Sequence, residues 1–485
     1  MIAKWLTGIL SGVLAIGLIQ PAALAQEEKT IDDEIIYDVL IDRFFNKQIE
    51  NDFEVNSQNP AAFNGGDFGG VIEQLQHVKD MGFTLLSIGS VFAAETYDGK
   101  EVLDYSQLER HFGTEEELKE VVAKTHEQDL KLMVDVPTQS VSDNHIWTAE
   151  NPEWFSENED GTMALDTSNS AVQDELIAVF SDFIKNYEVD GLRLSDADQL
   201  DPVFIERFSE AMKEIRDVYL INDVEMEPVP GFDAMVLPGA EETLRQSYKS
   251  FDADDSGMAE LIEESEGDLV RADSLLGSRF TSDVVAERGF PPTRLRVLFS
   301  QLLTMPGIPV VQYGSETAMN GVTPQESHQI LDLSVDEELI DHISDLNSLR
   351  NSSEALRTGD IEILLDDKNW LVYKRYNDEE IWIVAINNSS ETKSFDIPAE
   401  VIGSDKQLRG LFESDIIRQE TNGDYRVTLD RELAETFHVT DERGLNKAYL
   451  AALAILYLVF MAFLWVVWKK GKQRKADAKA KNRQS

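Results

Sequence analysis

Short apolar runs alternate with stretches of helical period from Ile35 to Leu349. The runs predict strands at Ile35–Leu40, Thr84–Ile88, Lys131–Val136, Gly191–Ser195, Tyr219–Asp223, Ala234–Leu237, Arg279–Asp283 and Ile308–Tyr313. Strands separated by helices are the pattern of parallel βα units. Periodicity alone does not fix their number. The stretch 138–168, rich in Asn, Asp, Glu and Ser, predicts a small excursion after the third strand. From Ile361 the pattern changes: Asn369–Tyr376 and Glu380–Asn387 are β-rich and separated by Asn, Asp, Gly and Ser turns. An antiparallel β-domain over 357–438 and a polar link over 439–447 follow from this.

Two apolar segments flank these units. The first, within residues 1–25, has Lys4, an apolar stretch Ile9–Ile19 and an Ala23-Leu24-Ala25 site. It predicts a secretory signal peptide cleaved after Ala25; a first membrane helix is the alternative. The second, 448–468, is long enough to cross a bilayer, with Tyr449, Trp465 and Trp468 near its ends. The tail, 469–485, holds Lys469, Lys470, Lys472, Arg474, Lys475, Lys479, Lys481 and Arg483 against Asp477. Positive residues favour the cytoplasmic side. The expected topology is a single-pass cell-membrane protein with its N-terminal domain outside and its tail in the cytoplasm.

Charge narrows the partners. The chain carries −48; without the tail's +7 and Lys4, residues 26–468 carry −56. Such a surface argues against nucleic acid and anionic headgroups. The absence of cysteine leaves no disulfide framework and no thiolate metal site.

The motifs are specific as an ordered set. Ile36-Tyr37 leads to Asp42-Arg43-Phe44, and Gly65-Gly66-Asp67-Phe68-Gly69-Gly70 to Lys79-Asp80-Met81-Gly82. Asp104-Tyr105 precedes Phe112-Gly113-Thr114. Asp190-Gly191-Leu192-Arg193-Leu194 precedes Ser195, and Met305-Pro306-Gly307-Ile308-Pro309 precedes Tyr313-Gly314-Ser315-Glu316. In this order and spacing they resemble the α-amylase family, glycoside hydrolase family 13. The resemblance implies an α/β chain: a (β/α)₈ TIM barrel over 26–356, the β-domain and one transmembrane helix.

It also implies a retaining mechanism with a nucleophile, an acid and a third carboxylate at the C-terminal ends of the strands. Here the nucleophile position is Ser195 and the acid position Asp223, and the third position is read as Val285, in Asp283-Val284-Val285. No catalytic carboxylate position is intact. Asp135 and Arg193 persist as substrate-binding residues, whereas Thr138-Gln139-Ser140 and Lys100 replace expected sugar contacts. A slip of one residue that makes Asp196 the nucleophile would turn its side chain to the other face. Glu225, Asp283 and Glu287 are the carboxylates that a relocated pair would use.

Asp252, Asp254, Ser256, Gly257 and Glu263 fit the spacing of a calcium loop. The expected role is a cap on a short helix through Leu261-Ile262, with calcium as the alternative. No other cofactor or metal is expected. The function expected is a membrane-anchored, extracellular, carbohydrate-related protein that is catalytically inactive, a pseudoenzyme serving as a binding or scaffold module. The alternative is an active α-glucan hydrolase or transglycosidase with rearranged acids. The partner expected is an α-glucan or other carbohydrate; the helix is read as an ordinary membrane anchor, with a membrane protein docking on the small-residue face of Ala448 and Ala452 as the alternative.

Overall fold

The computed structural model describes residues 29–157, 162–334, 337–442 and 447–481. The signal-peptide segment, residues 1–25, lies outside them. Seven parallel strands form one sheet: β1 (Ile36–Asp38), β2 (Leu85–Ser87), β3 (Lys131–Pro137), β4 (Gly191–Ser195), β5 (Tyr219–Asn222), β7 (Leu269–Arg271) and β8 (Ile308–Gln312). Their order is β5-β4-β3-β2-β1-β8-β7. A minimal β6, 234–236, joins the two edges through single bridges, Ile221 to Ala234 and Val236 to Leu269. The sheet is therefore a closed (β/α)₈ barrel.

Closure follows from side-chain alternation. Ile36, Leu85, Met133, Ile221, Leu269 and Ile308 point inward and form one buried apolar cluster. Gly191 completes that layer, and a Cβ there would sit 2.7 Å from Met133 Cε. Tyr37, Leu86, Leu132, Leu192 and Leu220 point outward under the helices, in the large core. One pleat further along, inward positions become polar, as at Asp38, Asp135 and Arg193. This change of chemistry along one face makes the C-terminal ends of the strands the place to look for a site.

The seventh strand corrects the sequence reading. It is Leu269–Arg271, not Arg279–Asp283; the latter lies at the start of a helix, Phe280–Ala286. Phe280 N–H is fixed at 2.5 Å by Asp273 Oδ1, which starts that helix. Three apolar-flanked residues carry too little period to show as a strand. The excursion is also larger than 138–168 alone. Its strands Ser140–Val141, Phe155–Glu157 and Met163–Leu165 join Phe92–Ala94 and Val102–Leu108 in a separate five-stranded sheet.

Eight strands from Asp360 to Asp441 make the β-domain, six of them in one antiparallel sheet. Its last strand, Leu433–Asp441, runs through the start of the expected link. The acidic segment at 252–263 docks on this domain. Asp252 Oδ1 accepts Ser390 N–H at 3.2 Å, and Asp255 Oδ2 accepts Asn369 N–H at 2.6 Å. The helix Met258–Glu264 starts at Gly257 with no side-chain cap, so the capping expectation fails: Asp252 bonds to the neighbouring domain, and Asp254 Oδ1 accepts Ser256 N–H at 3.2 Å ahead of the helix. Lys447–Lys481 is one helix, of which Ala451–Lys475 is apolar and long enough to cross a membrane. Lys469 and Lys472 lie over the rings of Trp465 and Trp468.

Arg350 joins the last helix of the barrel, Glu338–Ser352, to the turn before β8. Fully buried, it donates to the carbonyls of Met305 at 3.0 Å and Gly307 at 2.5 Å. Replacing it orphans these carbonyls in the buried interior. Arg350→Met should cost on the order of 2–4 kcal/mol, read as a lower urea midpoint by circular dichroism. An unchanged midpoint would remove this arginine from the account of the fold.

Candidate functional site at the barrel mouth

The polar layer is organised by Arg193, inward on β4 and 5% exposed. Its Nε and Nη2 donate to Asp135 Oδ1 and Oδ2 at 2.7 and 2.8 Å, and its Nη1 to Asp38 Oδ2 at 2.7 Å. Asp135 comes from β3 and Asp38 from β1, so one guanidinium ties three strands together. The bidentate fork fixes the planes of both groups. Burial raises the Asp135 carboxyl, and Arg193 pulls it back down. Burial disfavours the guanidinium charge, but Asp135 and Asp38 more than offset that, and its pKa rises.

Ser195 ends β4 on the same inward parity, opposite Pro137 on β3. Its carbonyl accepts Thr138 Oγ1–H at 2.7 Å. No hydrogen bond from its own hydroxyl, to a base or to any other group, is present among the described residues. A serine without a base is a weak nucleophile.

Asp223 follows β5 and is 7% exposed. Its Oδ1 accepts Asp196 N–H at 2.9 Å. Burial pushes its carboxyl up to about 7; Arg193 opposes the shift, and the charges of Asp196 and Asp135 add to it. Asp196 sits in the left-handed region, φ 52°, just past the strand. There the alternation no longer governs its direction, and it lines the same cavity as Asp223. The parity argument against Asp196 fails for that reason. Burial raises its carboxyl too, with Lys100 opposing.

Arg271, inward on β7, and Ser274 line the mouth from the other side, with Arg271 Nε 3.3 Å from Glu241 Oε2. Val285 does not come there. It lies on the helix Phe280–Ala286, half exposed, because the seventh strand ends fourteen residues earlier at Arg271. Asp273 is turned away from the mouth, towards Phe280 N–H and Ser315 Oγ. Asp283 pairs with Arg245, Glu287 lies by Lys249, and Glu225 is exposed, so none of these three supplies a replacement acid. His328 also lines the mouth but is locked as neutral imidazole. Burial lowers it to about 4, and its nitrogens meet Tyr97 Oη and the Leu275 carbonyl, each at 2.9 Å.

Sequence reading names Asp135, Arg193, Ser195 and Asp223, which the structure brings together at the mouth. It misses Asp38, which the alternation from Ile36 could have placed, and Arg271, hidden with its strand. The cavity they enclose is about 40 Å³, room for about three or four waters.

Comparison with known proteins agrees with this architecture. The family model of the alpha amylase catalytic domain matches residues 38–161, and that of the alpha-amylase C-terminal domain matches residues 359–437. A cyclomaltodextrinase of Geobacillus thermopakistaniensis is 27% identical, covering 78% of this chain and 73% of its own. A maltogenic alpha-amylase of Bacillus acidopullulyticus is 23% identical, covering 82% and 76%. Among solved structures, an Anoxybacillus alpha-amylase superposes with TM-score 0.82 at 29% identity, over 86% of this chain and all of that one. An alpha-amylase of Geobacillus thermoleovorans, solved with acarbose, gives 0.80 at 29% identity with the same coverage.

The raised Asp223 carboxyl has a consequence for stability. The folded chain holds this proton up to about pH 7, whereas an unfolded aspartate releases it near pH 4. Between these values folding takes up a proton, so stability falls as pH rises. Asp223→Asn keeps the oxygen that accepts Asp196 N–H and cannot ionise. It should stabilise the chain by on the order of 4 kcal/mol at pH 8 and by little near pH 4. Urea midpoints of the two proteins at both pH values check this; an equal difference at both would contradict the shift.

Proposed function

The chain belongs to the α-amylase family, glycoside hydrolase family 13, and from that premise we propose that it binds at the barrel mouth without cleaving. It is a pseudoenzyme of this family, an extracellular binding or scaffold module held at a membrane by the helix Lys447–Lys481. The observation that carries this is the end of β4, where Ser195 stands in place of a nucleophilic carboxylate with no base beside it. Retaining hydrolysis needs a carboxylate there to form the glycosyl intermediate. Loss of a nucleophile alone costs roughly 10⁴-fold or more.

The ligand class follows the relatives, which are named for cyclomaltodextrin and maltose chemistry: an α-glucan or related carbohydrate. Anchoring rests on the apolar helix, the basic tail and the Ala23-Leu24-Ala25 segment, which together favour an outside barrel and a cytoplasmic tail. Calcium stays an unassigned alternative at 252–263, where Asp252 and Asp255 are engaged by the β-domain.

One observation favours a second reading. Asp223, half-protonated at neutral pH, and Asp196 beside it are the chemistry of an acid and a carboxylate partner. A hydrolase with rearranged acids would use these two.

The full chain in detergent should release no glucose or maltose from maltotriose above the buffer background. Ser195→Asp alone should stay silent, because acid, nucleophile and supporting groups act as a unit. Turnover by the wild-type chain that disappears in Asp223→Asn would replace this proposal with the second reading.

The chain should resist extraction of membranes with alkaline carbonate. A chain ending at residue 442 should appear in the soluble fraction. Wild-type chain found there would end the anchoring proposal.

A further inference from the structure

The chain divides its charge unequally. Residues 26–468 carry −56, whereas 469–485 carry +7. The basic part does not begin after the last helix but on it. Lys469, Lys470, Lys472, Arg474 and Lys475 all lie within Lys447–Lys481 and are exposed. At the rise of an α-helix the apolar run 448–468 is about 31 Å long, close to the roughly 30 Å of a bilayer's hydrocarbon. The stretch 469–475 adds about 9 Å, enough to cross a headgroup layer.

The cations are not spread evenly around the helix. Trp465, Trp468, Lys472 and Lys475 step by three or four residues, and Lys469 stands four after Trp465. Such spacings put all five on one face. Lys470 and Arg474, four apart, lie on another, and the tail's acid Asp477 follows Arg474 by three, in step with that second face. On the first face Lys469 Nζ is 5.0 Å from the centre of the Trp465 ring, and Lys472 Nζ is 4.7 Å from that of Trp468. Both contacts run backwards along the chain, the direction in which helical side chains lean.

That direction decides what the ammonium groups meet. At the C-terminal end of a membrane span, backwards is towards the bilayer. Indole rings settle at the headgroup level, so an ammonium held over one is kept at the depth of the lipid phosphates. An ammonium carries three N–H donors and no acceptor, and a ring face takes none of them as a carboxylate would. No ion pair of Lys469, Lys472 or Lys475 is present among the described residues. A phosphodiester supplies the missing anionic oxygens. In a choline headgroup that charge is already offset by the lipid's own trimethylammonium, so a headgroup with net negative charge fits better.

We propose that the face of Trp465, Trp468, Lys469, Lys472 and Lys475 is a docking surface for an anionic phospholipid. The indoles lie against its glycerol and upper acyl region, and the ammonium groups take its phosphate. The inference rests on the reading of Lys447–Lys481 as a membrane anchor and adds a lipid preference to it. The rest of the chain acts in the same sense. A domain carrying −56 is repelled by an anionic surface on its own side of the membrane, which leaves the contact with acidic lipid to the basic end.

The test uses the full chain, with Trp5→Phe so that Trp465 and Trp468 are the indoles of its apolar segments. It is reconstituted in phosphatidylcholine vesicles that hold a minor share of phosphatidylglycerol. Brominated acyl chains quench the tryptophans they touch, and the bromine is placed on one lipid or the other. Brominated phosphatidylglycerol should quench at least about threefold more than its mole share predicts. Lys469→Gln with Lys472→Gln should bring it down to that share. Lys470→Gln with Arg474→Gln removes the same charge from the other face and should leave most of the excess. Continued quenching by brominated phosphatidylcholine shows that each variant is still inserted. Excess soluble glycerol phosphate should leave the quenching unchanged; release by it would make free phosphate the ligand and overturn the lipid site. Equal loss from the two pairs would show general attraction to an acidic surface and overturn it as well. Quenching by each lipid at its mole share in the unmutated tail would overturn the lipid preference and leave the anchor standing. No quenching by either lipid would end the anchoring proposal, and the site with it.

Discussion

The ion pairs between Arg193 and the carboxylates of Asp135 and Asp38 are what the mouth of this barrel depends on. Three strands, β1, β3 and β4, present these groups on one inward pleat, and the guanidinium fork fixes their relative heights. A buried ion triad of this kind is poor evidence of net stability, because desolvation offsets much of the attraction. Its effect is on specificity of arrangement. Removing Arg193 leaves two carboxylates without their cation, and removing either aspartate strips the guanidinium of a partner, so the register of the three strands and the rotamers of all three side chains are chosen together. Arg193 is also engaged by this work. Its Nε, Nη1 and Nη2 each donate once within the protein, which accounts for three of its five N–H groups.

With Arg193 neutralised, the remaining acids decide the electrostatics of the cavity. Asp223 and Asp196 face one another's charge in a space too small for bulk water. Asp223 answers by keeping its proton to about pH 7. An acid held protonated at neutral pH by burial is a familiar property of catalytic sites, yet the same shift arises wherever carboxylates crowd without enough cations. The two cases differ in what stands opposite. Here it is Ser195 with no base, Ser274, and an arginine already leaning on Glu241. Burial and the neighbouring charges of Asp196 and Asp135 account for the shift here.

How far the sequence revealed this varies with the physics of each element. The long strands β3 and β4 carry several alternating pairs, and the motifs at their ends named Asp135, Arg193 and Ser195, which the structure sets on one inward parity. Asp38 obeys the same rule but carried no motif to draw attention to it. β7 is three residues long and β6 is held by single bridges, so neither has a period to read. The apolar start of the helix Phe280–Ala286 then took the place of the missing strand and carried the third site position to Val285, on the outside of the molecule. Asp196 failed for a different reason. Parity ends where the strand ends, and one residue in the left-handed region is enough to turn a side chain back into the cavity. The five-stranded excursion sheet drew on segments on both sides of β3, a long-range pairing that no local pattern encodes.

The direction of the last strand sets which way the mouth faces. Leu433–Asp441 begins beside Arg294, through the Arg294–Glu432 pair, near the start of the helix Pro291–Leu302. Helices of the barrel run opposite to its strands, so that start lies on the mouth side. Further along, His438 stacks on Trp382, which packs on Ala355 and Leu356. The neighbouring Arg357 pairs with Asp33, just before β1 enters the barrel from its other end. The β-domain therefore hands the chain on at Asp441 on the face opposite the mouth. Few residues separate that point from the helix at Lys447, which at about 3.3–3.6 Å each span at most about 20 Å. If that helix lies in a bilayer, the closed end of the barrel faces the lipid and the acidic mouth opens outward. A site meant for a lateral membrane partner would gain nothing from that orientation, whereas one meant for a small diffusing ligand has an unobstructed approach.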